Sequence, residues 1–300
     1  MSNRKWLNCR LRDIQERLGE QGHGVSLPVI SRLLRQHDYH LRANVKQLAT
    51  KRHPERDRQV QYIQEQRTEH QAAGYPTISV DTKKKELVGN FKNPGRIWCQ
   101  EPEVVNMHDF PQDAVGRAVP YGIYDLQHNQ GTVYVGQSAD TPAFAVDNIA
   151  RWCQTELLER FPDATHLLIE ADSGGSNSYR SRVWKRDLQE NVADALGLTI
   201  TVCHYPTGAS KWNPIEHRLF SEISKTWAGC PLRSYDDVLS YIRDTETQTG
   251  LTVQAHFVTK TYETGVKVHD EEMDGLNIKF HDLCPQWNYT IRPRPNPPPA

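Results

Sequence analysis

Apolar residues recur at two spacings along this chain, and the spacing predicts where its helices and strands lie. Short alternating or continuous apolar runs predict strands, and runs with apolar residues three to four positions apart predict helices. From residue 75 onward the predicted order is a strand through Ile78 and Val80, strands at 118–126 and 131–139, a helix from Pro142 to about Phe161, a strand ending at Asp172, a helix, a strand at 198–204 and a helix from Asn213.

This order predicts a fold class. The first three strands follow one another without helices and are expected to pair antiparallel, whereas the strands separated by helices need parallel crossovers. We therefore predict an α/β (α+β) fold, with a mixed five-stranded sheet and helices on both faces. Residues 88–117 are rich in turn residues and are expected to form an inserted hairpin or loop.

The amino-terminal segment predicts two short helices. The first lies within 7–22, and the second follows Ser26 with Pro28 in its first turn. Arg32 and Arg35 lie opposite the apolar stripe of the second helix. Two short helices joined by a glycine-containing turn fit a DNA-binding helix-turn-helix, and they also fit an ordinary helical hairpin.

Composition and charge narrow the class of protein. The chain has 300 residues, of which 37% are hydrophobic and 24% charged, as in globular proteins. It has no apolar run long enough for a membrane span and no signal-peptide core, so we expect a cytoplasmic, nucleoid-associated protein. Its six cysteines are scattered without a C-x-x-C pair, which excludes common zinc folds. Residues 1–58 hold thirteen Lys and Arg against six Asp and Glu, which favours a polyanion partner.

Three acids occupy informative positions on the predicted sheet. Asp81 ends the first strand, Asp172 ends the fourth, and Glu216 lies in the first turn of the helix after the fifth. If the first and fourth strands are neighbours, the three carboxylates converge at one edge. Such a group is tolerated when hard cations neutralise it, and oxygen ligands alone favour two Mg²⁺ or Mn²⁺ ions suited to phosphoryl transfer.

Each of these acids also has a local explanation. Glu216 stands three residues after Asn213, and the pair fits a helix capping box. Asp172 precedes a glycine turn, and Asp81 could be a solvated strand end. Asp125, in the segment "YGIYDL", is the main alternative member of the group.

Several long motifs carry a family resemblance. The segments "TISVDTKKKELVGNFKNPGR", "VNMHDFP", "AVPYGIYDL", "IEADSGGSNSYRSRVWK" and "TVCHYPTGASKWNPIEHRLF" resemble bacterial insertion-sequence transposases of the ISAzo type. These are DDE enzymes with a ribonuclease-H-like core, akin to retroviral integrases. The similarity runs from about residue 5 to residue 293.

The resemblance implies a function and a site. It implies that Asp81, Asp172 and Glu216 are the catalytic, metal-binding triad of a DNA transposase that cuts element ends and transfers strands with two Mg²⁺ or Mn²⁺ ions. The implied partners are double-stranded DNA, at the element ends and the target, and further copies of the chain in a synaptic complex. The alternative is a catalytically inactive or truncated transposase-derived DNA-binding protein.

This chain departs from the family pattern in two places. Relatives extend upstream of the position of Met1, so we expect a shortened copy or a late translation start. Glu170 replaces a small or hydroxylic residue two positions before Asp172, on the same strand face. This fourth acid either disturbs the metal site or lies at its periphery.

Basic side chains near the triad are candidates for phosphate contact. Lys83, Lys84 and Lys85 follow the first acid, and they fit either a solvated strand end or DNA binding. Lys211 and Arg218 flank Glu216 and invite the same interpretation. With Arg32 and Arg35, they complete the predicted DNA-binding set.

The predicted organisation has five parts. They are a helix-turn-helix region (1–48), a basic linker and helix (49–74), a ribonuclease-H-like catalytic domain (75–228), an α+β extension (229–292) and a Pro-rich disordered tail (293–300).

Overall fold

The computed structural model describes residues 9–40 and 53–295. The chain divides into two compact units, Met1–Thr50 and Lys51–Ala300. Residues 49–52 of the predicted linker and helix, residues 1–8 and 41–48 of the predicted helix-turn-helix region, and the last five residues of the predicted tail lie outside the described residues.

The first unit contains two packed helices, α1 (Leu11–Glu20) and α2 (Leu27–Gln36). Pro28 lies in the first turn of α2, as predicted, and Ile30 is buried between the helices. Leu33 of the same helix is 41% exposed. A ten-residue helix that packs against one other helix buries only a narrow stripe, so part of its apolar face stays open.

The second unit is built on one sheet with helices on both faces. Its helices are α3 (Arg56–Ala72), α4 (Pro142–Trp152), α5 (Leu158–Arg160), α6 (Arg182–Leu188), α7 (Ser221–Thr226), α8 (Tyr235–Arg243) and α9 (Asp270–Asp274). Its strands are β1 (Thr77–Thr82), β2 (Glu86–Val88), β3 (Gly116–Asp125), β4 (Gln130–Gly136), β5 (His166–Ala171), β6 (Thr199–His204), β7 (Thr252–Val258), β8 (Ile278–Phe280) and β9 (Asn288–Ile291).

The five predicted strands form the middle of this sheet, in the order β4-β3-β1-β5-β6. Strand β3 pairs antiparallel with both β1 and β4, and β5 pairs parallel with both β1 and β6. This is the mixed topology of a ribonuclease-H-like sheet, so the predicted fold class is confirmed.

The carboxy-terminal region extends the same sheet at both edges. Strand β7 pairs parallel with β4, β9 pairs antiparallel with β6, and β8 pairs with β9. Together with β2, which pairs with β3, they extend the predicted five-stranded core to a sheet of nine strands in the described residues. The added strands are three to seven residues long and separated by long connections, so each gives a weak pattern.

Apolar side chains fill both faces of the sheet. On one face, Ile78, Val80 and Ile169 pack against α4 and α6 through Trp152 and Trp184. The other face packs against the helical segment 214–226, α8 and α3. Within the described ranges no helix has both the length and the apolar character to cross a bilayer. All six cysteines are unpaired.

Candidate active site

Asp81 lies near the carboxyl end of β1 and is only 9% exposed. Both of its carboxylate oxygens accept hydrogen bonds. Oδ1 accepts from the backbone N–H of Thr82 at 2.7 Å, and Oδ2 accepts from the side-chain amide of Asn213 at 3.1 Å. The carboxylate is therefore held in one orientation without a cationic partner among these contacts.

Asp172 follows β5, the parallel neighbour of β1. Val80 pairs with Ala171, so the next residue on each strand, Asp81 and Asp172, lies at the same edge of the sheet. Oδ2 of Asp172 accepts from the backbone N–H of Gly174 at 3.2 Å. Its Oδ1 is buried and has no hydrogen-bond partner in the described structure. Such an atom is costly to leave unpaired in a folded protein.

Glu216 lies one turn into the helix that follows β6, where residues Glu216–Phe220 form a π-helical turn before α7. Gly122, which pairs with Asp81 in the sheet, lets this helix approach closely. A Cβ atom at Gly122 would lie 2.5 Å from the Phe220 ring and 3.0 Å from Ile215. In this position the charge of Glu216 is close enough to raise the pKa of both Asp81 and Asp172.

The acids perturb one another. Burial raises the pKa of Asp81 well above its ordinary value, and the charges of Asp172 and Glu216 raise it further. Burial also raises the pKa of Asp172 to about 6, opposed by the backbone hydrogen bond from Gly174 and by the nearby Asn177 side chain, and reinforced by the charges of Asp140 and Glu216. The pKa values of Asp81 and Asp172 are thus both raised by burial and by nearby negative charges, including that of Glu216.

Asp140 is a fourth acid at this edge that sequence reasoning missed. It follows β4, which runs parallel to β1, and its Oδ1 accepts from the Thr82 hydroxyl at 3.0 Å. Its Oδ2 forms an ion pair with Lys85 at 3.2 Å. Its position after the carboxyl end of a strand parallel to β1 was a usable signal, because such ends meet at one edge of a sheet. We call Asp81, Asp140, Asp172 and Glu216 the carboxyl-edge cluster.

A cleft of about 380 Å³ opens at this edge. Three of the four acids line it, Asp81, Asp140 and Asp172, together with lysines, hydroxyls and glycines at Thr82, Lys83, Lys84, Lys85, Gly174, Gly175 and Ser176. Across the described ranges, no group of three His, Cys, Asp or Glu side chains is arranged as it stands to hold a metal ion. The acids are close enough to interact electrostatically without being in a coordinating arrangement.

The Asn213 side chain does not cap the helix as predicted but binds two residues of β1. Its side-chain oxygen accepts from the Ser79 hydroxyl at 2.7 Å, and its nitrogen donates to Asp81. The helix begins at Pro214, and no side-chain cap hydrogen bond is formed at the turn that contains Glu216. The amide is directed into the sheet because two polar groups there need a partner.

Glu170 lies outside this cluster. It is fully buried, and both of its oxygens bind Arg67 of α3, at 2.7 and 2.6 Å. The Tyr205 hydroxyl donates to it at 2.8 Å. Of the two roles considered for this acid, the peripheral one is correct, because Arg67 neutralises it away from the cleft.

Asp125 lies at the opposite edge of the sheet. It pairs with Ile78, at the start of β1, and binds both His128 at 2.8 Å and Arg160 at 3.2 Å. Arg160 also binds the buried Glu156 at 2.6 Å. Asp125, His128, Glu156 and Arg160 form what we call the amino-edge cluster, in which each acid has a basic partner. Asp125 therefore lies apart from the carboxyl-edge cluster.

The family model described as the Rhodopirellula transposase DDE domain (ISAZ013) matches residues 1–293. The chain belongs to this transposase family. The resemblance drawn from the sequence motifs is confirmed.

The transposase is also similar to solved structures. The Mos1 transposase paired-end complex with left transposon end is 12% identical over 81% of this chain and 72% of that chain, with a TM-score of 0.44. The mariner Mos1 paired end complex with Mg is 12% identical over 80% of this chain and 73% of that chain, with a TM-score of 0.47. No curated protein matches the sequence.

The predicted DNA-binding lysines of the transposase occupy three different environments. Lys83 is buried, its ammonium lies 4.5 Å from the centre of the Trp227 ring, and burial lowers its pKa. Lys85 pairs with Asp140, whereas Lys84 is 80% exposed and 3.6 Å from Glu86. Of the three, Lys84 is the most accessible to a phosphate.

The remaining predicted basic residues of the transposase are exposed. Lys211 and Arg218 lie on either side of Glu216 in the chain, with the Lys211 ammonium 5.7 Å from the centre of the Trp212 ring. In the first unit, Arg32 and Arg35 are exposed on α2. Their DNA-contacting role stays a prediction.

Proposed function

We propose that this transposase cuts and rejoins DNA at element ends, using divalent cations held by Asp81, Asp172 and Glu216. One observation carries the proposal. Among the described residues, the carboxyl-edge cluster holds a buried Asp172 oxygen without a partner, and its acids have one cationic contact at hydrogen-bonding distance, the Lys85 pair with Asp140. A bound cation would satisfy this oxygen and offset the repulsion.

The donor atoms fit Mg²⁺ or Mn²⁺. The acids supply only carboxylate oxygens, and the lining of the cleft contains neither His nor Cys, so the set is hard and oxygen-only. Asp140 is a further candidate ligand once Lys85 moves to a phosphate. Two divalent cations bound there would supply activation of the attacking oxygen and stabilisation of the leaving oxygen.

The reaction consists of two phosphodiester exchanges. In the first, water attacks phosphorus, the bond to the 3′ oxygen of the element breaks, and that oxygen leaves as a 3′-hydroxyl. In the second, this hydroxyl attacks a phosphorus of the target, and a target 3′ oxygen leaves. One P–O bond forms as one breaks in each step, so neither ATP nor a covalent enzyme intermediate is required.

The chain's own residues position the DNA. Lys84 lines the cleft, Lys211 and Arg218 flank Glu216 in the chain, and all three are exposed and suited to binding phosphates, while Arg32 and Arg35 are suited to the element end. Two ends must be held together for strand transfer, so we propose that a homo-oligomer forms on double-stranded DNA.

Incubation with a supercoiled plasmid that carries the DNA flanking the gene tests this function. We expect nicking with Mg²⁺ or Mn²⁺, none with EDTA, and joining when pre-cut ends and a target plasmid are supplied. Cutting without joining would indicate a nuclease instead. Binding without cutting would indicate the catalytically inactive DNA-binding protein.

A further inference from the structure

Asn213 is a buried amide that joins two of the proposed metal ligands. It is 1% exposed and directly precedes the helix that carries Glu216, three residues away. Its nitrogen donates to Oδ2 of Asp81, which lies on a different element, β1. One side chain therefore connects the strand that carries the first acid to the helix that carries the third.

The orientation of this amide is fixed from the other side. The Ser79 hydroxyl donates to the Asn213 oxygen at 2.7 Å, and Ser79 lies two residues before Asp81 on the same face of β1. With its oxygen occupied, the amide presents N–H to Asp81. The other oxygen of Asp81 accepts from the Thr82 backbone N–H, so both oxygens are held and the carboxylate does not rotate freely.

A neutral donor suits this position. A lysine or arginine bound to Asp81 would neutralise the acid and compete with a cation, whereas an amide orients the carboxylate and leaves its negative charge in place. Partners of this kind, bound to metal ligands rather than to the metal, hold the ligands in geometry before the ion arrives.

We propose that Asn213, oriented by Ser79, is a positioning residue that holds Asp81 and the Glu216 helix in register for divalent-cation binding. This inference rests on the proposed function. In it, Asn213 contacts neither DNA nor cation and acts through Asp81.

Mn²⁺ binding, followed by electron paramagnetic resonance without DNA, tests the proposal apart from activity. We expect Asn213→Ala to weaken Mn²⁺ binding about 10- to 100-fold, as loss of such partners does elsewhere. The Mn²⁺ concentration for half-maximal plasmid nicking should rise by a similar factor, with a much smaller change in rate at saturating Mn²⁺. Wild-type Mn²⁺ binding by Asn213→Ala would overturn the proposal.

The Ser79→Ala variant separates positioning from general stability. It should weaken Mn²⁺ binding less than Asn213→Ala, and it should add nothing when both changes are combined, because Ser79 acts through Asn213. Independent, additive effects would overturn the coupling. Ser79→Ala removes one oxygen atom, so it carries the test if Asn213→Ala does not fold.

Two further variants complete the design. Asn148→Ala removes another buried amide, which donates to the Phe144 carbonyl within α4, and should leave Mn²⁺ binding unchanged. A loss there equal to that of Asn213→Ala would assign the effect to folding. Asp81→Asn should abolish tight Mn²⁺ binding; if it does not, the proposed function itself fails, whatever Asn213 does.

Discussion

The two edges of the central sheet hold buried acids in opposite electrostatic situations. At the amino edge, Arg160 lies between Asp125 and Glu156 and binds both. At the carboxyl edge, Asp81 and Asp172 interact with further acids, and one oxygen of Asp172 has no partner. The same strands support both clusters, so burial of carboxylates alone does not identify a site. What marks the carboxyl edge as a candidate site is that its buried acids lack the basic partners found at the amino edge.

The largest expected effect is on catalysis at the carboxyl edge. Asp81→Asn, Asp172→Asn and Glu216→Gln should each reduce Mg²⁺-dependent nicking by roughly 10³-fold or more, because members of a catalytic group act as a unit. DNA binding, followed by gel shift, should be largely retained. Asp125→Asn, at the other edge, is the control and should still nick. Any triad variant that nicks at the wild-type rate is excluded from the group.

The next effect is on stability at the amino edge. Arg160→Ala leaves Asp125 and Glu156 buried without their shared cation and should lower the free energy of unfolding by roughly 3–5 kcal/mol in urea titrations. Arg233→Ala, which breaks the exposed pair with Glu103, should cost only about 0–1 kcal/mol. Equal losses in the two variants would contradict the contrast between compensated burial and surface pairing.

A pH series sharpens the contrast. The folded pKa of Asp172 is raised to about 6, so the proton is bound more tightly in the folded state. Its contribution to stability is fully present below its ordinary pKa and is lost as pH rises to about 6. In metal-free buffer, Asp172→Asn should therefore match wild type near pH 4 and melt higher above pH 6, by roughly 6–12 °C. A gap that is constant with pH would contradict this assignment.

The smallest effects are expected from exposed cations outside both clusters. Arg32→Ala, Arg35→Ala and Lys84→Ala should each weaken DNA binding modestly and reduce the slope of log affinity against log salt by about 1. Lys279→Ala, on the exposed β8, is the control. Unchanged slopes in the first three would remove these residues from the DNA-binding set.

The sequence allowed the middle of the fold and three members of the site to be predicted. Strands β1, β3, β4, β5 and β6 have strong apolar patterns, and Asp81, Asp172 and Glu216 stand at their ends or after them. Asp140 was missed although it directly follows the predicted strand 131–139, whose carboxyl end meets that of β1 at the same edge of the sheet. Asn213 was interpreted as a helix cap because its local pattern fits one. Its contacts with Ser79 and Asp81 become visible only in the structure, where β1 lies next to the start of the helix.

The π turn at Glu216–Phe220 has a consequence for insertions and deletions. Leu219, Phe220, Ile223 and Trp227 anchor the helix in the core, so its carboxy-terminal half cannot rotate. Each residue of an α-helix advances the side-chain direction by about 100°. Removing a single residue within this turn would restore regular winding yet point Glu216 away from Asp81. We therefore expect the number of residues between Glu216 and the core anchors to be strictly fixed, even where the identity of those residues can vary.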